Sequence, residues 1–409
     1  MQIISTEIRR SVENVESIML AGGFGRGEGT VSLIHNGEYA PLNDYDIYVL
    51  SETAVSIELI RMLESRLWKK CHIRVDIKFI STKSLGFVIP DMFTYELKTT
   101  SKVIWGLDLR KKIPHEREDI PLTAGLNTLL IEALGLIQNF EPGYFHLHVP
   151  SAKRPMANYI CTKVFVEIGN ALSLLGKFYD SLSSKRAELL ETNYKTKFPE
   201  LYRLLPGLPS QVKFHTQLKL VSLDFDTEYS VARWLEAREA LKFSMWYFIC
   251  RILDITFDTG QSFFCLLDDR QEELASFYFE PYIQYALKRK GIPAVQAFVR
   301  IAQPFVRLYE NFRYSRNCRD ATWKVCIRPF FSLQSPLLKI FLCGVFLLYS
   351  LEEDGQVNRN LLEKAHALLA EIYPCPPLSD NEYADWRNLR DLCLHSQRIY
   401  SSTPRTLAF

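Results

Sequence analysis

Asp44 and Asp46 stand one residue apart in Leu42-Asn43-Asp44-Tyr45-Asp46-Ile47-Tyr48-Val49-Leu50, and a third acid, Asp76, follows in Val75-Asp76-Ile77-Lys78-Phe79-Ile80. A glycine cluster, Gly22-Gly23-Phe24-Gly25-Arg26-Gly27-Glu28-Gly29, precedes all three. Side chains of a strand alternate faces, so residues two apart project together. Asp44 and Asp46 are therefore expected to share a face. Unpaired carboxylates on a half-buried face call for cations, and hard oxygen ligands suit magnesium or manganese. In two-metal sites, with ions about 3.5–4 Å apart, one ion activates an attacking hydroxyl while the other stabilises the leaving group. A cage of acids beside a glycine turn predicts nucleotidyl transfer.

The segment around Asp76 alternates polar and apolar residues, placing Arg74, Asp76 and Lys78 opposite Val75, Ile77 and Phe79. If that strand lies beside the first, three acids converge, with Asp44 and Asp46 bridging two ions and Asp76 holding the acceptor-side one. Upstream, Ile18-Met19-Leu20-Ala21 reads as a short buried strand running into Gly22-Gly23, where the missing Cβ atoms let backbone N–H groups approach a phosphate. Arg26 is placed to add a charge-assisted phosphate contact, and Glu28 to orient Arg26. The glycines do not have the G-x-G-x-x-G spacing of a dinucleotide fold, and neither the Walker lysine pattern nor the kinase catalytic loop occurs in the chain.

The elements that must hold these residues follow from periodicity. Ile4, Ile8, Val12 and Val15 recur at helical spacing before the first strand, and Val55, Leu59, Leu63 and Leu67 between the two acidic strands. Asn36-Gly37, flanked by strand-like residues, signals an inserted β-hairpin between the glycines and Asp44, a candidate lid over the site. A last strand is expected near Ser101 to Gly106, with Tyr95-Glu96-Leu97 just ahead. A charged, proline-bounded stretch near residues 108–122 reads as a linker. Beyond it, Thr123–Phe140, Met156–Asp180, Ser184–Tyr194, Ser230–Phe257 and Leu337–Leu351 are apolar-periodic helices.

A hydrophobic-Gly-Gly turn, then Asp-hydrophobic-Asp-hydrophobic, then a later strand Asp, resembles the DNA polymerase beta-type nucleotidyltransferase superfamily, in particular stand-alone bacterial and archaeal members with an appended helical domain. The resemblance covers residues 18 to 80. It implies an α+β fold: a polymerase-beta-like nucleotidyltransferase domain over residues 1–115, then a large all-α domain over 116–409 with a possible break near 205–228. Gly22 and Gly23 would then contact the nucleotide phosphates, Asp44 and Asp46 both metals, and Asp76 the acceptor-side metal. Two departures stand out. Gly23 replaces a common serine, which leaves phosphate binding there to the backbone, and the stretch between Gly23 and Asp44 is longer than usual. In the helical region, Lys163, Tyr179 and Arg186 resemble residues facing the cleft in such enzymes; for Lys163 a structural and a functional role weigh evenly, while Tyr179 and Arg186 suit packing.

Acceptor deprotonation falls to Asp76 itself or to Glu96 as a separate base, although a surface ion pair suits Glu96 better. The implied reaction moves a nucleoside monophosphate, by default from ATP, to a hydroxyl or phosphate acceptor on a small molecule, a protein or an RNA, releasing pyrophosphate. The competing expectation is a nucleotide-sensing, antitoxin-like module with little or no transfer. At 409 residues the chain exceeds a single core of about 250–300 residues, and its 47% hydrophobic content supports more than one. The 49 basic and 47 acidic residues leave a net charge of +2, which carries no global nucleic-acid footprint. The nine cysteines form no Cys-x-x-Cys pair, and no apolar run reaches the roughly 18–20 residues of a membrane span. A cytoplasmic protein without a signal peptide is expected.

Overall fold

A computed structural model of the chain describes residues 1–33, 39–41, 44–53, 55–220, 231–289, 291, 296–318 and 335–401. The chain gathers into two compact units: Met1–Ala124 with Leu172–Tyr202 and Pro206–Asp224, and Gly125–Ala171 with Arg203–Leu205 and Phe225–Phe409.

The first unit runs α1 (Gln2–Ser11), β1 (Val15–Leu20), α2 (Gly22–Arg26), β2 (Val31–Leu33), β3 (Tyr39–Pro41), β4 (Tyr45–Ser51), α3 (Ile57–Cys71), β5 (Val75–Ser81), α4 (Met92–Thr99) and β6 (Lys102–Gly106). Four strands form one mixed sheet in the order β5-β4-β1-β6. Strands β4 and β5 are parallel, and β1 is antiparallel to both β4 and β6. A parallel pair needs a long crossover, and α3 supplies it. Ser56 starts α3 by accepting the Leu59 N–H, and His72 closes it in the left-handed region at φ 53°.

Period-two alternation divides the sheet into two faces. Ile18, Leu20, Ile47, Val49, Val75 and Ile77 pack with Ile4 and Ile8 of α1 and Leu63 and Leu67 of α3. Met19, Tyr48 and Leu50 face the other way, against Leu85, Leu97, Leu109 and Ile113. Asp46, two residues before Tyr48, falls on this second face by the same alternation. The mixed α+β architecture expected of residues 1–115 is therefore present. The inserted hairpin has its two arms, with Val31 paired to Pro41 and Leu33 to Tyr39; its Asn36-Gly37 tip lies outside the described residues.

Further along come α5 (Leu122–Gln138), α6 (Arg154–Leu175), α7 (Ser183–Lys197), α8 (Pro199–Leu204), α9 (Leu208–Leu220), α10 (Val231–Ile252), α11 (Phe263–Asp269), α12 (Gln271–Arg289), α13 (Gln296–Asn317), α14 (Pro336–Ser350), α15 (Arg359–Ala370) and α16 (Glu382–Ser401). The helix read from Met156 to Asp180 stops five residues early. Lys177 takes a left-handed φ of 62° just after Gly176, and the chain turns into α7. In the second unit, α14 is buried along its whole length and packs on α15 and α16. A helix apolar all round belongs in a core. Among the described residues, no helix is long and apolar enough to cross a membrane.

Candidate active site

Parallel pairing of β4 with β5 puts Asp46 opposite Asp76 and Tyr48 opposite Lys78. Neighbouring strands lie about 4.8 Å apart, so the register alone brings the two acids side by side. Between them sits the Lys78 ammonium, 3.7 Å from Asp46 Oδ1 and 3.4 Å from Asp76 Oδ2. The same nitrogen lies 5.4 Å from the ring centre of Tyr48 and 5.2 Å from that of Phe93, within cation–π reach. Burial pushes the Asp46 carboxyl above its ordinary pKa; Lys78 pulls it down, while Asp44 and Asp76 push it further up. For Lys78, burial works against the charge, but Tyr48, Asp76 and Asp46 outweigh it and hold the ammonium protonated beyond the usual lysine range.

Asp44 lies just before β4, which begins at Tyr45. Strand alternation therefore does not place its side chain, contrary to the two-apart expectation, although its charge is felt at Asp46. Sequence spacing alone could not show where the strand starts.

The glycine cluster reaches the acids by a route the sequence only half shows. Gly22 to Arg26 form a helical turn closed by Gly27 at φ 80°, rather than an open loop. The Ala21 N–H donates to the Asp46 carbonyl at 2.8 Å, clipping this turn to β4. Gly22 holds φ 59°, and a Cβ there would come within 2.0 Å of Asp46 Oδ2. Only glycine lets the backbone come this close to the carboxyl group.

Arg26 and Glu28 enter a buried network instead of standing over open space. Arg26 pairs with Glu96 through one guanidinium nitrogen, and its Nε lies 3.3 Å from Glu28 Oε2. Glu28 also accepts the backbone N–H groups of Ser183 at 2.9 Å and Ser184 at 3.1 Å, and the Ser184 hydroxyl at 3.0 Å. Burial opposes its charge, yet these donors together with Arg26 hold the Glu28 carboxyl below the usual range. Glu28 does contact Arg26, as expected, and it also anchors the start of α7.

Glu96 differs from both roles considered for it. It lies on α4 and is 8% exposed, so its ion pair is a buried one and not at the surface. Besides Arg26 it accepts the Tyr179 hydroxyl at 2.8 Å and Arg186 Nη1 at 3.2 Å. Burial holds the Tyr179 hydroxyl far above its ordinary pKa, which keeps it a donor to Glu96. Arg186 lies over the Tyr179 ring at 4.8 Å, and so the pair expected to pack also supplies hydrogen bonds. This hub was not legible beforehand, because 83 residues separate Tyr179 from Glu96 and 90 separate Arg186 from it. Lys163 lies in the second unit, where its Nζ is 2.8 Å from Oε1 of buried Glu132. The Glu132 charge raises the Lys163 pKa against the opposing effect of burial.

Among the described residues, no group of three or more His, Cys, Asp or Glu side chains is placed to hold a metal ion. Asp46 and Asp76 nevertheless suit a hard divalent cation, since they already share one positive charge. Magnesium is commonly held by one or two carboxylates, with waters and substrate phosphates completing its shell. Two protein carboxylates fit that pattern. No known family signature matches the chain, and no curated protein matches it.

Proposed function

We propose that the first unit is a metal-dependent nucleotidyltransferase of the DNA polymerase beta type, moving a nucleoside monophosphate, by default AMP from ATP, to a hydroxyl or phosphate acceptor and releasing pyrophosphate. The observation that supports it best is the juxtaposition of Asp46 and Asp76 in parallel register with the Gly22 turn clipped against Asp46. Asp44, Asp46 and Asp76 would hold magnesium or manganese, and Gly22 and Gly23 would offer backbone to the phosphate tail. When bound, the metal supplies Lewis-acid stabilisation of the developing charge and lowers the pKa of the acceptor hydroxyl. Asp76, on the acceptor side, is positioned in this scheme to take the hydroxyl proton. Glu96 is not needed as a base, because its oxygens are engaged by Arg26, Tyr179 and Arg186.

Arg26 then acts on the phosphates indirectly, by fixing α2 and hence the glycine turn through Glu28 and Glu96. A second possibility, a nucleotide-sensing module that binds ATP without transferring it, draws support from the engagement of both Arg26 and Lys78 by protein carboxylates. Incubation of α-labelled ATP and magnesium with metabolite, tRNA and protein fractions separates the two. Labelled product is expected in one fraction, and its loss in Asp44→Asn and Asp46→Asn proteins that melt like the parent. ATP binding with no labelled product in any fraction would favour the sensor.

A further inference from the structure

The charge balance at the paired acids carries a consequence for how a metal reaches them. Asp46 and Asp76 occupy facing positions on adjacent parallel strands, and their charges repel. Lys78 follows Asp76 by two residues, so the strand period returns it to the same face, and the register sets it beside Tyr48. Its ammonium lies within 4 Å of both carboxyl groups, where it offsets their repulsion.

We propose that Lys78 is an internal counter-ion which occupies the Asp46–Asp76 pair in the nucleotide-free protein and must withdraw for a divalent ion to bind there, so that metal enters together with the nucleotide. The inference rests on the transferase reading above and names a control on that same site. Three features support it. Lysine carries its charge on a flexible four-carbon stem, and the Lys78 side chain is 41% exposed, so withdrawal toward solvent requires no rearrangement of the core. The Tyr48 and Phe93 rings stand beside the ammonium as alternative partners, and Phe93 is 54% exposed. Among the described residues too few ligands cluster to enclose a metal unaided, whereas nucleotide phosphates bring both further oxygens and the negative charge that makes a second cation favourable.

Manganese binding, followed by the electron paramagnetic signal of the free ion, tests this without any turnover. In the parent protein, manganese alone is expected to bind weakly, and a non-hydrolysable ATP analogue to tighten it at least about tenfold. Lys78→Met and Lys78→Gln are each expected to bind manganese roughly tenfold more tightly without nucleotide, the scale of removing one charge about 4 Å away in a partly solvated site, and to lose most of the analogue's effect. A parallel measurement on the parent protein covers the case of a misfolded variant: saturating manganese should speed acetylation of Lys78, read by peptide mass spectrometry. If the parent binds manganese with the analogue but the Lys78 variants bind the bare metal no better than it does, or Lys78 acetylation does not change, the counter-ion role is overturned and the metal site stands. If parent and variants alike fail to bind manganese with and without the analogue, both the counter-ion role and the transferase reading fall.

Discussion

Substituting Gly22 by alanine tests the contact on which the site depends, because two separable penalties arise there. The first is conformational: a non-glycine residue held in the left-handed region costs roughly 1–2 kcal/mol. The second is steric, since the new Cβ would meet Asp46 Oδ2 at 2.0 Å and the Asp46 carboxyl carbon at 2.9 Å, forcing the carboxyl group aside. Forcing extra volume into a packed position costs about 1–3 kcal/mol. Gly22→Ala should therefore lose about 2–5 kcal/mol of stability. Gly27→Ala is the internal control. Its φ is 80°, but among the described residues beyond its chain neighbours no atom lies within 4 Å of the Cβ position, so only the conformational penalty of about 1–2 kcal/mol applies. In an Asp46→Ala background the clashing oxygen is gone, and the cost of Gly22→Ala should fall toward that of Gly27→Ala. Urea unfolding of the four proteins and the double variant measures each term. Equal costs at positions 22 and 27, or a Gly22→Ala cost unchanged by removing the Asp46 carboxyl, would refute the proposed close approach of turn and acid.

Three other perturbations follow from the buried charges. Glu96→Gln leaves the guanidinium groups of Arg26 and Arg186 without their shared anion, and breaking a buried pair of this kind costs about 3–5 kcal/mol; a melting temperature like the parent's would contradict the hub. Glu28 has a folded-state pKa below its unfolded value, so the stability it contributes is present above about pH 4.3 and is lost as pH falls through the depressed folded value. Glu28→Gln should accordingly show a shallower loss of stability below about pH 4 than the parent, and matching acid-unfolding curves would count against it. Lys163→Met takes the ammonium away from the buried Glu132 carboxyl and should destabilise the second unit, by up to about 3–5 kcal/mol, as read by calorimetry. Lost ATP turnover in that variant with unchanged stability would instead give Lys163 a functional role.

Local pattern made parts of the site legible. The alternation around Asp76 put Asp76 and Lys78 on one face, opposite Val75 and Ile77, while Arg74 lies just before β5, and the helical spacing of Leu59, Leu63 and Leu67 announced the helix that connects β4 and β5. Other parts depend on information that no local window contains. Asp44 lies outside its strand because β4 begins only at Tyr45, where the backbone joins Arg74 through the Tyr45 N–H at 2.9 Å. The Tyr95-Glu96-Leu97 segment, read merely as lying ahead of a strand, belongs to α4, which begins with a reciprocal capping box between Asp91 and Thr94. Glycine's low helix propensity concealed α2, which tertiary contacts impose on Gly22 to Arg26. The Glu28 and Glu96 networks join segments far apart in sequence, and the closeness of Lys78 to Asp46 appears only once the register is known.

The central claim is that the acids beside the glycine turn direct chemistry at the α-phosphorus of a nucleoside triphosphate. Parallel reactions with ATP labelled at the α or at the γ phosphorus, with magnesium and an acceptor fraction, test it most directly. The α label is expected in the acceptor and the γ label in pyrophosphate, with both products lost in folded Asp46→Asn and Asp76→Asn proteins. Appearance of the γ label in the acceptor, or α-label transfer that persists in Asp46→Asn, would contradict the account.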